Sequence, residues 1–300
     1  MAPSPLESRL QGCPVALTID DAPSVRDGGA PGDPGRMTRV REALVAAGVE
    51  HCVAFVIGAS SKGHEDVLRA WLDAGFELGN HTNEHRRCSA EPAARFLDDV
   101  RRCDDLLDRV GAFGNGRPRY FRFPFLDRGR FEERELLREE LAAMGYTVVH
   151  GSIDWFDYHY DARLAAAARE GAPPGEIEQR YVEVAVGATT YELDRSRRGL
   201  RRDAAHIAYC HFGEATARGL PRILAALGSA GLQFVSVADA MGDPMFTAFD
   251  QACDRNGRVP PALFARGVLG AATRAVARLS IGAGLFGQRR LGPRWPWCQE

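Results

Sequence analysis

Short apolar runs rich in β-branched residues alternate along this 300-residue chain with longer segments whose apolar positions recur at helical spacing. Residues 15–19 (VALTI) predict a buried strand that ends on Asp20-Asp21. Three prolines and four glycines between residues 22 and 36 predict a loop. Val40, Leu44 and Ala47 then mark a helix that Gly48 closes. Residues 51–57 (HCVAFVI) predict a second buried strand. Val67, Leu68, Trp71 and Leu72 line the next helix as far as Gly75, and residues 76–78 predict a shorter strand. A long helix opens at Glu91-Pro92 and runs to about Val110. Strands are predicted at 119–123 and 146–150, on either side of a helix at 132–144. A helical stretch from 161 to about 198 follows, then a strand at 207–210, a helix at 220–227 and a strand at 232–237. With no internal repeat and no linker rich in Pro, Gly or Ser, this alternation predicts one parallel α/β domain, open or barrel-like, over residues 13–243.

Composition narrows the class. With 45% hydrophobic and 26% charged residues and a net charge of −2, the chain is an ordinary globular protein rather than a disordered, collagen-like or disulfide-rich one. Its seven cysteines form no C-x-x-C pair and are odd in number, so they read as reduced thiols. The first twelve residues hold no apolar signal core, and no run of eighteen uncharged apolar residues appears; the expected location is the cytoplasm. A near-zero net charge offers no general field for nucleic acid, and no nucleic-acid partner is expected. That average conceals an asymmetry. From Arg258 to Glu300 seven arginines stand against one acid, leaving +6 on the tail and −8 on the remainder. Residues 244–300 therefore read as a separate Arg-rich, helical extension. Its arginines either face water from terminal helices packed on the domain or make weak contact with an anionic membrane surface.

In parallel α/β domains, chemistry gathers at the C-terminal ends of the strands. Asp20 and Asp21 end the first strand, and neighbouring residues of an extended chain point in opposite directions. One carboxylate can then bind a metal while the other serves as a base; the alternative is a loop start of turn-favouring acids. His81 and His85 follow the third strand at i, i+4 spacing, which on a helix would place both on one face around one metal ion. Thr82 after the first histidine excludes the H-E-x-x-H pattern. Two histidines and a carboxylate would leave coordination positions open for water and substrate. Arg122, in the strand before Pro124, needs a carboxylate partner if buried. Residues 153–158 (IDWFDY) form an aromatic-acidic cluster, and His211 ends the strand IAYC.

These five segments, in order, resemble the motifs of the polysaccharide deacetylases of carbohydrate esterase family 4, the NodB-homology domain. The family's T-F-D-D, H-S/T-x-x-H, R-x-P-Y/W, D-x-x-D-W and L-x-L-H correspond to residues 18–21 (TIDD), 81–85 (HTNEH), 122–125 (RFPF), 154–158 (DWFDY) and 208–211 (AYCH). The approach to the second motif, residues 77–82 (ELGNHT), is also similar. The resemblance implies a distorted (β/α) barrel of fewer than eight strands holding one divalent metal ion, zinc first, with cobalt or nickel as alternatives. It implies Asp21, His81 and His85 as metal ligands, Asp20 as general base and Arg122 as the group that orients Asp20. It further implies the Phe125 backbone N–H as oxyanion donor, His211 as general acid with Asp154 supporting its imidazolium, and Thr82 positioning the helix that carries the histidines.

Ile19, Phe125, Tyr158, Ala208 and Cys210 depart from the family pattern, and no departure removes a catalytic group. They would reshape a substrate pocket lined by Tyr158, Cys210 and Trp155. The expected activity is metal-dependent hydrolysis of a C–N amide other than a peptide bond, foremost N-deacetylation of an amino sugar, a glycoconjugate or an amino-sugar-containing metabolite. Cleavage of a formamide or of a cyclic amide or ureide on the same site is the alternative. A non-catalytic carbohydrate-binding relative would lack a base or a ligand, and none is missing.

Overall fold

The computed structural model describes residues 4–26, 32–248 and 250. Eight parallel strands, β1 (Pro14–Ala22), β2 (Val53–Val56), β3 (Glu77–Asn80), β4 (Arg119–Phe121), β5 (Tyr146–Val148), β6 (Ile153–Asp154), β7 (His206–His211) and β8 (Gln233–Val235), form one curled sheet. The strand order is β5-β4-β3-β2-β1-β7-β6. β8 pairs with β1 at Pro14–Ala16, on residues that precede the pairing of Thr18 to Ala22 with β2. The sheet is thus a distorted (β/α) barrel with eight strands rather than fewer. The additional strand escapes sequence reading because β6 is only two residues long, too short to carry a periodicity.

The helices are α1 (Glu7–Leu10), α2 (Gly35–Ala46), α3 (Gly58–Ser61), α4 (Glu65–Asp73), α5 (Ala93–Val110), α6 (Arg134–Ala143), α7 (Asp157–Glu170), α8 (Gly175–Leu200), α9 (Glu214–Ser229) and α10 (Val237–Met241). None is long and apolar enough to cross a membrane among the described residues. The helical stretch expected from 161 to 198 is two helices. Gly171, at φ 68°, takes the left-handed conformation that a glycine adopts at low cost, and Pro173-Pro174 cannot continue the first helix. Conversely, α9 starts six residues before the expected Leu220. A proline at 221 favours a helix start there, but packing of α9 on α2, α7 and α8 carries the helix through it.

The core explains the apolar runs. Val15, Leu17 and Ile19 of β1 and Ala54 and Val56 of β2 are buried on one side with Trp71, whose Nε1–H donates to Glu77 O (3.0 Å) and ties α4 to β3. Ala16, Val53 and Phe55 face the barrel interior with Tyr120 and Ile207. Gly79 on β3 is required there, because a Cβ would meet the Phe55 ring at 2.5 Å.

The extension expected from residue 244 begins inside this fold. Residues 244–248 and 250 are helical, Met245 and Phe246 are buried with Ala16 and Val53, and Asp250 accepts from His150 (2.8 Å) and Arg128 (2.9 Å). The apolar character of Met245 and Phe246 makes this short segment part of the domain. The rest of the extension, with all seven tail arginines, lies outside the described residues.

Candidate active site

β1 stays extended through Asp20 and then turns sharply, with Asp21 at φ 64°. The two carboxylates therefore enter different surroundings. Asp20 is buried and its Oδ1 accepts from Arg122 Nη1 at 2.6 Å. Arg122 has no solvent exposure; Nη1 also donates to Thr18 Oγ1 (2.8 Å) and the guanidinium lies 4.3 Å over the Phe55 ring. Burial works to raise the Asp20 pKa, but the Arg122 charge, with His81 and His211, outweighs it and holds the carboxyl below its ordinary value.

Asp21 faces His81 and His85. The ligand atoms of the three all lie within 4.8 Å of one another, with Asp21 Oδ1 at 3.6 Å from His81 Nε2 and 3.3 Å from His85 Nε2. The histidines are not on a helix. Residues 81–87 form an irregular loop after β3, in which Thr82 (φ 64°) and His85 (φ 54°) are left-handed. Hydrogen bonds replace helical periodicity: Asn80 Oδ1 accepts from Thr82 N (2.8 Å) and Thr82 Oγ1 from His85 N (3.0 Å). Thr82 does position the pair, but through a turn.

His81 Nδ1–H donates to Arg122 O (2.8 Å), which leaves the Nε2 lone pair directed at Asp21. Burial lowers both imidazoles to about 4, so they are neutral at physiological pH, as metal ligation requires. Burial likewise raises Asp21, whose Oδ1 has no hydrogen-bond partner. A buried carboxylate oxygen left without a donor between two imidazole lone pairs is the arrangement a divalent cation resolves, and two nitrogens with one oxygen suit zinc, cobalt or nickel.

Opposite this cluster, His211 Nδ1–H donates to Asp157 Oδ1 (3.0 Å), and Asp157 Oδ2 accepts from His211 N (2.8 Å) and Thr216 Oγ1 (3.2 Å). Asp154 does not support His211. It accepts from Phe156 N (2.7 Å) and from the Tyr158 hydroxyl (3.2 Å). The left-handed turn at Phe156 (φ 57°) places the second acid of the D-x-x-D segment, not the first, on the histidine. The missed residue was legible as that spacing, but two acids three apart cannot be assigned without the turn. Burial lowers the His211 pKa, yet Asp157, Asp21 and Asp20 outweigh it and carry the imidazole well above its ordinary value.

Phe125, left-handed at φ 59°, puts its ring on His85 at 4.6 Å, and outside its own turn its N–H meets no backbone acceptor among the described residues. Tyr158, 37% exposed, lines the same cleft of ≈ 1640 Å³ as Asp20, Asp21, both triad histidines, Phe125 and His211. Trp155 and Cys210 do not line it. Trp155 is buried with Nε1–H on Thr189 Oγ1 (3.1 Å), and Cys210 is fully buried in the core behind β7. Alternation along β7 explains the latter: Tyr209 faces the cleft, so Cys210 faces away.

Fold and site together define a (β/α)-barrel protein whose strand ends hold an aspartate–imidazole cluster between a buried aspartate on Arg122 and a half-buried histidine on Asp157. Residues 8–149 match the family model for polysaccharide deacetylase. That match and the fold support a polysaccharide deacetylase domain of the NodB type. No curated protein sequence matches it. Among solved structures it is similar to a T48 deacetylase with substrate (TM-score 0.53, 20% identity, covering 79% of this chain and 94% of that one). It is also similar to a family 4 carbohydrate esterase from Streptomyces lividans in complex with acetate (TM-score 0.52, 22% identity, 77% and 96% covered). A family 4 pseudoenzyme from Bacillus anthracis shares the fold as well (TM-score 0.51, 18% identity, 76% and 64% covered). At these identities the likeness is one of fold, and activity has to be argued from the residues.

Proposed function

We propose that this protein is a metal-dependent N-deacetylase of an amino sugar, glycoconjugate or amino-sugar-containing metabolite, with zinc as its metal. The observation that carries the reading is the convergence of three sets in one cleft: Asp21 with His81 and His85, Asp20 held by Arg122, and His211 held by Asp157. Asp21, His81 and His85 would hold the ion, which when bound supplies Lewis-acid polarisation of the acyl oxygen and acidifies water.

The remaining chemistry belongs to the chain. Asp20, kept ionised by Arg122, takes a proton from the attacking water. The Phe125 N–H, in the left-handed turn at the cleft, donates to the oxygen that gains charge as the carbonyl becomes tetrahedral. His211, kept protonated by Asp157, gives its proton to the departing nitrogen, so the amine leaves neutral. Thr18 and Phe55 fix the guanidinium against which Asp20 is aligned. An aspartate base with a lowered pKa and a histidine acid with a raised one are both in their working forms across neutral pH.

Released acetate from N-acetylglucosamine or its oligomers is the direct assay. Zinc-loaded full-length protein releases it, chelation stops it, and re-addition of zinc or cobalt restores it. Absence of acetate release from every N-acetyl sugar with zinc bound would sink the proposal.

The acid limb of the reading has its own test. Activity requires imidazolium at His211 and is lost as pH rises through its pKa, which lies above the ordinary histidine value of 6.5. Asp157→Asn removes the largest factor raising that pKa and leaves burial to lower it. The alkaline limb of kcat/KM therefore moves to lower pH, and at pH 8 activity falls by about 10²-fold, within the usual contribution of a general acid. An unmoved limb would show that another group donates the proton.

A further inference from the structure

The cleft carries a positive charge that deacetylation itself does not use. Arg87 lies two residues after the H-T-N-E-H segment, and its guanidinium carbon sits 4.3 Å from the centroid of the Phe125 ring. Phe125 in turn contacts His85 at 4.6 Å. A chain of two ring contacts thus leads from a residue of the triad to a full cation on the cleft wall. The contact is not that of a side chain extended into bulk water: Arg87 is half-buried and lines the cleft with Phe125 and Leu126.

Its neighbours differ. Arg36 pairs with Glu214 (3.2 Å), Arg218 with Glu214 (2.6 Å) and Glu178 (3.0 Å), and Arg86 with Glu84 (2.7 Å) and Glu91 (2.9 Å). Arg26 is also engaged. Among the described residues no carboxylate pairs with Arg87, and none pairs with Arg169, which stands on α7 at the cleft. On α7, Ala162, Leu164, Ala165 and Ala168 give the cleft an apolar stretch between Asp161 and Arg169. The carboxylates Glu84, Glu214 and Asp20 that share the cleft are taken by other arginines, which leaves the charge of Arg87 for a ligand.

An N-acylated hexosamine is neutral and offers such a cation only hydroxyl and carbonyl acceptors, with no opposite charge. A phosphate or carboxylate on the same sugar does, because the planar guanidinium meets either anion through two parallel hydrogen bonds. Stacking on Phe125 holds the plane in place beforehand, so less rotamer freedom is lost on binding. The geometry points to Arg87 as the residue that selects an N-acylated sugar bearing an anionic group, phosphate or carboxylate, near the scissile amide. This selection rests on the deacetylase reading, and its test separates the two.

Zinc-loaded full-length protein is assayed for acetate release from N-acetylglucosamine, N-acetylglucosamine 1-phosphate, the 6-phosphate and N-acetylmuramic acid. At least one charged sugar shows kcat/KM about tenfold or more above the neutral one, expressed in KM, as expected for a hydrogen-bonded ion contact. The phosphate and carboxylate arms identify which anion is meant. In Arg87→Gln the preference falls to within about threefold and in Arg87→Lys, which keeps charge without the fork, it is partly retained. Arg86→Gln, whose arginine is already paired with Glu84 and Glu91, keeps the preference. Equal kcat/KM for charged and neutral sugars in the wild type, or an unchanged preference in Arg87→Gln, overturns the assignment while leaving deacetylation standing. If no N-acetyl sugar is hydrolysed, the deacetylase reading fails, and calorimetric titration of glucosamine 1-phosphate, glucosamine 6-phosphate and muramic acid against glucosamine still decides the role of Arg87. Tighter binding of a charged sugar that is lost in Arg87→Gln supports it, and equal binding overturns it.

Discussion

His81→Ala protein, purified and assayed beside the wild type, retains no stoichiometric zinc, and its acetate release falls by more than about 100-fold. The lower bound follows from the cost of losing a mere supporting partner of a metal ligand, about 10- to 100-fold; losing a ligand exceeds it. Two features make His81 the sharper choice than His85. Its Nδ1–H is tied to Arg122 O at 2.8 Å, so its Nε2 is a fixed lone pair, and it is almost fully buried whereas the His85 side chain is 21% exposed. Elemental analysis and activity must fall together. Full activity in a variant without bound metal would remove the metal from the mechanism.

The second large effect concerns the Asp20–Arg122 pair. Arg122→Met leaves the Asp20 carboxylate buried without its cation, and breaking a buried pair from one side costs about 3–5 kcal/mol of stability. The sign with pH follows from the shift. In the wild type the folded Asp20 pKa lies below the ordinary 3.8, so its contribution is present above the unfolded value and lost as pH falls through the folded one. Without Arg122, burial pushes that pKa up, and the variant is most destabilised at neutral pH, with the gap to wild type narrowing toward pH 5. The double variant Arg122→Met/Asp20→Asn, which buries no charge, recovers most of the lost stability and none of the activity. Urea denaturation at pH 7 and pH 5 measures the first claim and the double-mutant cycle the second. A double variant no more stable than Arg122→Met would show that the guanidinium matters through Thr18 and Phe55 rather than through Asp20.

How far such residues can be read from the chain depends on what holds them. Asp20, Asp21 and His211 close strands whose apolar runs are plain in the sequence, so their arrival at one rim follows from the parallel α/β pattern alone. Arg122 was legible for another reason: an arginine in a strand needs a carboxylate, and Asp20 is that carboxylate. The histidine pair was found by a spacing whose premise was wrong. Four-residue spacing suggests a helix, yet Asn80 and Thr82 shape a left-handed turn that brings the rings together instead. Trp155 and Cys210, offered as pocket walls, belong to the core, because a motif does not say which side of the backbone a side chain takes.

By itself the sequence determined the alternation of strands and helices, the rim on which the polar residues gather and the chemical types available there. These depend on local periodicity and on the identity of short segments, both of which are present before folding. The tertiary structure alone decided which of two aspartates serves His211, which aromatic rings face the cleft, and that Arg87 lies over Phe125 beside the triad with no carboxylate partner among the described residues. Each of those is a contact or a facing set by single backbone turns at residues 21, 82, 85, 125 and 156, all held at positive φ by the packing around them. Thr82, Phe125 and Phe156 have no propensity that foretells such a conformation, and the modest left-handed preference of Asp and His does not by itself place it at Asp21 and His85.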